Sequence, residues 1–393
     1  MSRKLAYFIS IILSLGFFSC EMNEIVPTNT YSCEFVNQDL IENHPKAAIY
    51  QSILDKNRKL GLVGASVMIK DRHGVWVGSS GKADISSDID LQPCNRFLIA
   101  SISKVFTAAA VFRYIDKDMI SLDDNISKWL SNDVVSKIEN AKDANIKHLL
   151  NHTSGIADYY TLQYEIDRIN KEYNNWRQED VLEYAYGKSA THSLGETYYY
   201  SNTNFLLLGI ILENVSGLSL EAVYQNEVFT PLNLASAYFG KEIPIPSDVV
   251  KGYVDIYGNG QYVESEFLYK DELNTADGGI VINAYDLGTF FETLMKGQLI
   301  SNNSLTEMTT WFDLPEGWID KEFGHFQNGL GMEHNDTDYG LSVGHTGGID
   351  GFLSIAQYFP EHDATFILLV NSGSYENLPR LNIYNQSLKE MFD

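Results

Sequence analysis

The residues best placed to do covalent chemistry in this 393-residue chain lie in Phe97-Leu-Ile-Ala-Ser101-Ile-Ser-Lys104-Val-Phe-Thr-Ala-Ala-Ala110. Ser101 opens a stretch too apolar to be a surface helix, and Lys104 follows one turn later on the same face, so the two side chains can meet. A serine hydroxyl attacks a carbonyl only when a neighbouring base takes its proton. A lysine can be that base only if burial or another cation leaves it neutral. The free N–H groups at the start of the helix favour negative charge developing near Ser101. The alternative is a plain helix cap, with Lys104 reaching outward to water. The spacing alone decides little, because Ser79-Ser-Gly-Lys82 has it too; there the serine sits at a Gly-flanked strand end, where the lysine is expected in solvent.

Two further segments could complete a site. Tyr198-Tyr-Tyr200-Ser-Asn202 stands at a loop-to-helix junction, where the Tyr200 phenol and the Asn202 amide can point into a cleft. Tyr-x-Asn recurs at Tyr173, Tyr224, Tyr257 and Tyr375, so position singles out Tyr200; a capping Asn202 beside a packed Tyr200 is the plainer account. Gly344-His345-Thr346-Gly347-Gly348 occurs once and leads into a hairpin. Its glycines let backbone approach a ligand closely, and the N–H groups of Gly348 and Ser101 could together hold an oxyanion. Otherwise it is a Gly-rich turn. His148 and His152, four apart, could share a helix face as zinc ligands, but no Glu lies between them in the metalloprotease pattern and a capped helix end explains them better.

The elements that must position these residues follow from hydrophobic period. Hairpins are expected at Gly64 to Gly78 and at Phe352 to Val370, with helices over residues 46–60, 101–117, 146–151, 178–187, 204–215 and 284–296. Strands at both ends with helices between imply an α+β domain: an antiparallel sheet closed from both chain ends, flanked by helices, with a mainly helical insertion and a cleft between.

Ahead of it, Arg3 and Lys4 precede an apolar run from Leu5 to Phe18, then Ser19-Cys20. This is the order of an export signal, and it resembles a bacterial lipoprotein signal in which Cys20 is acylated. Residues 1–19 are therefore expected to be a signal peptide, 20–44 a polar tether and 45–393 the catalytic domain of an exported cell-envelope lipoprotein held to the membrane through Cys20. Ordinary cleavage nearby and an uncleaved anchor are the alternatives. Cys33 and Cys94 could pair in such a compartment, and the sequence leaves this open. With 28 Lys and Arg against 52 Asp and Glu, a formal charge of -24 makes the surface a poor partner for nucleic acid.

In their order along the chain, the Ser101, Tyr200 and His345 segments, with Leu149-Leu-Asn-His-Thr-Ser-Gly155 between the first two, resemble serine β-lactamases, penicillin-binding DD-peptidases and their esterase relatives. The resemblance implies a β-lactamase/transpeptidase-like fold without metal or cofactor. Ser101 would be acylated, with Lys104 and Tyr200 as the proton-transfer pair. Asn202 would donate to the substrate's amide, and His345, Thr346, Gly347 and Gly348 would line the strand beside the scissile bond. Where many relatives carry Lys, this chain has His345, so carboxylate recognition weakens and D-alanyl-D-alanine carboxypeptidases, D-amino-acid peptidases and esterases fit better than efficient lactamases. The substrate would be a small molecule or a peptide such as a peptidoglycan stem. No Glu-x-x-x-Asn segment of the class A kind is present, so deacylation would resemble class C. A penicillin-binding sensor that is acylated without turnover is the competing expectation.

Overall fold

The computed structural model describes residues 43–170, 176–240, 246–269, 272–321, 323–373 and 378–393. The expected signal and most of the tether, with Cys20 and Cys33, lie outside the described residues. Cys94 is disulfide-bonded.

Helix α1 (Ala47–Arg58) leads into strands β1 (Gly64–Asp71), β2 (Gly74–Asp84) and β3 (Ile89–Asp90) of the main sheet. Its other strands come from the C-terminal part: β4 (Phe312–Asp313), β5 (His325–Asn328), β6 (Glu333–Thr337), β7 (Gly340–Ile349), β8 (Phe352–Phe359) and β9 (Ala364–Val370). Their order is β3-β2-β1-β9-β8-β7-β6-β5-β4, so the expected closure of the two chain ends is the β1–β9 pairing, antiparallel with Ala65 opposite Val370.

This sheet is apolar on both faces, and strand alternation sorts its residues into two cores. Val67, Ile69, Phe366 and Leu368 pack with Tyr50 and Leu54 of α1 and with Ile383, Tyr384 and Leu388 of the C-terminal helix Leu378–Phe392. Met68, Ile367 and Leu369 point the other way, into the larger core shared with the helical insertion. Each such side chain contributes about 1.5 to 3 kcal/mol by leaving water, so the join between the chain ends is held from both sides. Within this larger core lies α2 of the site-bearing half, Ser103–Ile115, buried nearly all round as its composition requires. Helix α3 (Asn202–Ser216) crosses beside it and stops where Gly217 turns left-handed (φ 69°) and returns its N–H to Glu213. Helix α4 (Ala284–Met295), capped by Asn283, lies directly on the sheet: a Cβ on Gly288 would stand 2.6 Å from the Met68 sulfur.

Candidate active site

Ser101 sits in a short 3-10 turn, Ala100–Ile102, that runs into α2. The preceding Ala100 has φ +48°, a conformation that costs a residue with a Cβ about 1 to 3 kcal/mol and persists only where its surroundings enforce it. Those surroundings are strands β7 and β8. The Ser354 hydroxyl donates to the Ile99 carbonyl at 2.9 Å, and a Cβ on Gly347 would lie 2.3 Å from the same oxygen. Gly347 is thus a point of close backbone approach, as the sequence predicts, but the backbone it admits is the turn carrying Ser101.

The face of α2 that carries Lys104 fastens a second segment. Ser103 Oγ accepts the Ile280 N–H at 3.1 Å, Thr107 Oγ1 donates to the Ala276 carbonyl at 2.6 Å, and Lys104 Nζ donates to the Asp277 carbonyl at 3.0 Å. Lys104 is fully buried, with Nζ 3.1 Å from Ser101 Oγ, 3.8 Å from the Asp277 carboxylate and 5.1 Å from the Tyr200 ring centroid. The amine is therefore beneath the hydroxyl rather than in water. The Tyr200 phenol lies beside Ser101 in the cavity wall, and burial raises its pKa well above the usual 10, so it stands as a neutral phenol. Ser101 is thereby held between an amine and a phenol.

The duplicate Ser-x-x-Lys has its lysine at the surface as expected, although Ser79 lies inside β2 rather than at a strand end. Lys82 pairs with Asp88 and Asp90 at the surface, and the Ser79 hydroxyl donates to the Leu91 carbonyl. Of the other Tyr-x-Asn tyrosines, Tyr224 is a core residue bonded to Thr107, Tyr257 is exposed, and Tyr173 and Tyr375 lie outside the described residues.

Several residues join the site that were not expected there. His152 stacks on Tyr200 with ring centroids 4.5 Å apart, and its Nδ1 accepts the Ser201 N–H at 3.2 Å. Burial, then the charge of Lys104, hold its pKa well below 6.5, so it acts as a neutral platform that orients the phenol. His148, its partner in the zinc alternative, instead closes a capping box with Asn145. The Tyr159 hydroxyl donates to Asp277 Oδ2 at 3.0 Å. Asp158 receives the backbone N–H of Asn202 at 3.2 Å and its side-chain Nδ2 at 3.0 Å. Asn202 lines the cavity over Ser101, and its Nδ2 spends one hydrogen on Asp158, which leaves the second N–H and the amide oxygen for a ligand. A cavity of about 200 Å³ opens over Ser101, lined among others by Asp158, Tyr200, Asn202, Asp277 and Gly348.

His345 also departs from expectation. It lies on β7, but its ring is buried and does not line that cavity; Nδ1 meets the Thr346 carbonyl at 2.5 Å and lies 3.4 Å from Glu333. Burial, then the charge of Lys104, push its pKa down to about 3, so it offers a substrate carboxylate no charge. Thr346 likewise turns inward, its N–H and hydroxyl both on Glu333.

Glu333 is pushed up to about 8, first by burial and then by Asp320. A carboxyl neutral in the fold but ionised above about 4.5 in the unfolded chain gives the unfolded state fewer bound protons between those values. Its contribution to stability is complete at the acid end of that window and falls as pH rises to about 8, by at most about 1.4 kcal/mol per pH unit. His345 acts oppositely below 6.5, since there the unfolded chain binds the extra proton. The comparison with Glu333→Gln isolates the first effect: the wild-type melting temperature is expected to fall relative to that variant from pH 5 to pH 8, and parallel profiles would contradict the assignment.

This fold and site define a class. A sequence profile of the Beta-lactamase family matches residues 39–388, and the chain belongs to that family, whose members of the β-lactamase and penicillin-binding-protein type are serine hydrolases. It is 28% identical over 304 residues to a penicillin-binding protein of Bacillus subtilis, covering 75% of this chain and 64% of that protein. The match thus spans just under two thirds of that relative's length. Among solved structures, a D-stereospecific amidohydrolase from Streptomyces superposes with a TM-score of 0.72 at 25% identity, covering 86% of this chain and 98% of the other. A D-amino acid amidase from Ochrobactrum anthropi, at 22% identity and a TM-score of 0.75 with 87% and 99% covered, shares the fold.

Proposed function

We propose that this chain hydrolyses an amide or ester of a D-amino acid or another small acyl group through an acyl-Ser101 intermediate, in the manner of a D-alanyl-D-alanine carboxypeptidase, a D-amino-acid peptidase or an esterase. The observation that carries the proposal is the buried Lys104 amine 3.1 Å from Ser101 Oγ, with the Tyr200 phenol beside them. As the oxygen attacks, its proton passes to the Lys104 amine, which can accept one only when neutral. The carbonyl oxygen takes up the displaced electron pair and is met by the N–H groups of Ser101 and Gly348. When the tetrahedral adduct breaks, the Tyr200 phenol protonates the leaving group and recovers its proton from Lys104. Water then repeats the sequence on the acyl-enzyme. The high pKa of Tyr200 supports this division of labour, since a neutral phenol is a donor and not a standing base.

The neutral, inward-turned His345 supports a poor fit to substrates defined by a carboxylate. A panel of p-nitrophenyl butyrate, D-phenylalaninamide, a D-Ala-D-Ala peptide and a chromogenic cephalosporin tests this reading. Continuous turnover of the ester and the amide is expected, with kcat/KM at least about tenfold above the cephalosporin, the size of one lost charged contact. Release of one equivalent followed by silence would support the sensor alternative, and fastest turnover of the cephalosporin a lactamase.

A further inference from the structure

Helix α3 begins at Asn202, two residues after Tyr200, yet its own N-cap does not close it. The Ser201 side chain caps nothing, and among the described residues its buried hydroxyl has no hydrogen-bond partner. The group that meets this helix end comes from a distant loop: Asp158 Oδ1 accepts the Asn202 backbone N–H at 3.2 Å, and Oδ2 accepts the side-chain Nδ2 at 3.0 Å. A negative acceptor here satisfies a free N–H and suits the helix dipole.

The cap is not all that holds the two segments together. The Tyr159 N–H donates to Thr203 Oγ1 at 2.8 Å, that hydroxyl donates to the Ala157 carbonyl at 2.8 Å, and Ser154 Oγ donates to Asn204 Oδ1 at 2.6 Å. What Asp158 adds to these is a direction. A carboxylate only accepts, so Asn202 has to turn Nδ2 toward it, and the side of the cavity on which the amide oxygen stands is thereby set. Both residues line the cavity over Ser101.

We propose that Asp158 is a positioning residue for acyl transfer, whose carboxylate fixes the direction in which the Asn202 amide faces a group bound over Ser101. The inference rests on the acyl-serine reading and adds to it a residue that acts through Asn202.

The charged and titratable groups around Asp158 are Asp277 and the phenols of Tyr159, Tyr160 and Tyr200 in the same cavity wall; Lys104, whose amine lies 3.8 Å from the Asp277 carboxylate; and Arg168, 5.6 Å from the Tyr160 ring centroid and paired with Asp350 at 2.6 Å. Burial first, then the charge of Asp277, push Asp158 up to about 6 against the pull of Lys104 and of its bonded N–H groups. Between the ordinary 3.8 and that value the folded chain holds the extra proton, so the stability Asp158 contributes is complete at the acid end and is lost as pH rises through about 6. The ionised form is thus unfavourable to the fold, the reverse of what a purely structural carboxylate shows. Once protonated, Asp158 presents one donor and one acceptor, as an asparagine does, and no longer enforces the direction of Asn202.

The test follows p-nitrophenyl butyrate hydrolysis and thermal unfolding from pH 5 to pH 8 in the wild type, Asp158→Asn, Asn202→Ala and the double variant. At pH 8, Asp158→Asn is expected to lower kcat/KM about 10- to 100-fold, the effect of a small misplacement, while melting no earlier than wild type. That gap should narrow about five- to tenfold by pH 5, where roughly a tenth of the carboxyl stays ionised. The double variant should match Asn202→Ala within about threefold, because one change removes what the other acts through. Four results overturn the positioning claim and leave the hydrolase reading standing: unchanged ester hydrolysis in Asp158→Asn or in Asn202→Ala, a gap of the same size at every pH, fully additive losses in the double variant, or an Asp158→Asn protein that melts well below wild type at pH 8. Wild-type protein without esterase activity overturns the hydrolase reading and the inference with it.

Discussion

Ser101→Ala is expected to abolish turnover of every ester and amide substrate, lowering kcat by about 10⁴ to 10⁶, while the protein keeps its melting temperature within a few degrees. The size follows from what is removed. Ser101 Oγ is the hydroxyl that lines the cavity 3.1 Å from the buried Lys104 amine, so the attack is lost with it. The change deletes one oxygen at a partly exposed position and leaves Cβ in place. The Ala100 strain and its clamps, Ser354 and Gly347, are untouched. A variant that kept full esterase activity in steady-state assays would show that the nucleophile lies elsewhere.

The second large effect is expected at Lys104. Lys104→Met preserves an unbranched chain of similar length in a fully buried slot and removes the proton acceptor. Loss of acid-base assistance costs about 10² to 10⁴ in rate, and here it falls on kcat with KM little changed, because Lys104 does not line the cavity. Some stability is lost too, since the Asp277 carbonyl then lacks the donor 3.0 Å away. Lys104→Arg separates charge from proton transfer: guanidinium keeps the positive charge and the donors but cannot be deprotonated. Burst-phase kinetics on both variants, with circular dichroism to confirm folding, should show no burst in either. An arginine variant within tenfold of wild type would mean that Lys104 serves as a fixed charge.

How much of this was legible in the chain depended on distance along it. The Ser101–Lys104 pair is local, one turn apart in a helix whose apolar composition already announced burial, and both hairpins and the helices over 103–115, 202–216 and 284–295 fall close to their expected ranges. The C-terminal helix was not anticipated, though Ile383, Tyr384, Leu388 and Met391 carry a helical repeat that could have shown it. Asp158, Asp277 and Glu333 were illegible for another reason. Acidic residues are frequent in this chain and normally face water; these three matter because tertiary packing sets them beside Asn202, Lys104 and Thr346. His152 stood next to a readable turn, yet its stacking on Tyr200 needs the fold to bring residues 48 apart in sequence together. His345 was expected to line the strand beside the scissile bond, whereas its ring is buried, turned to the Thr346 carbonyl and kept neutral by that burial.

Intact covalent chemistry at one oxygen is the claim from which the rest follows, and peptide mass spectrometry of protein acid-quenched during turnover of p-nitrophenyl butyrate reads it directly. The account predicts a butyryl mass increment on the peptide containing Ser101, absent from Ser101→Ala. Turnover with no increment, or an increment on a different residue, would contradict it.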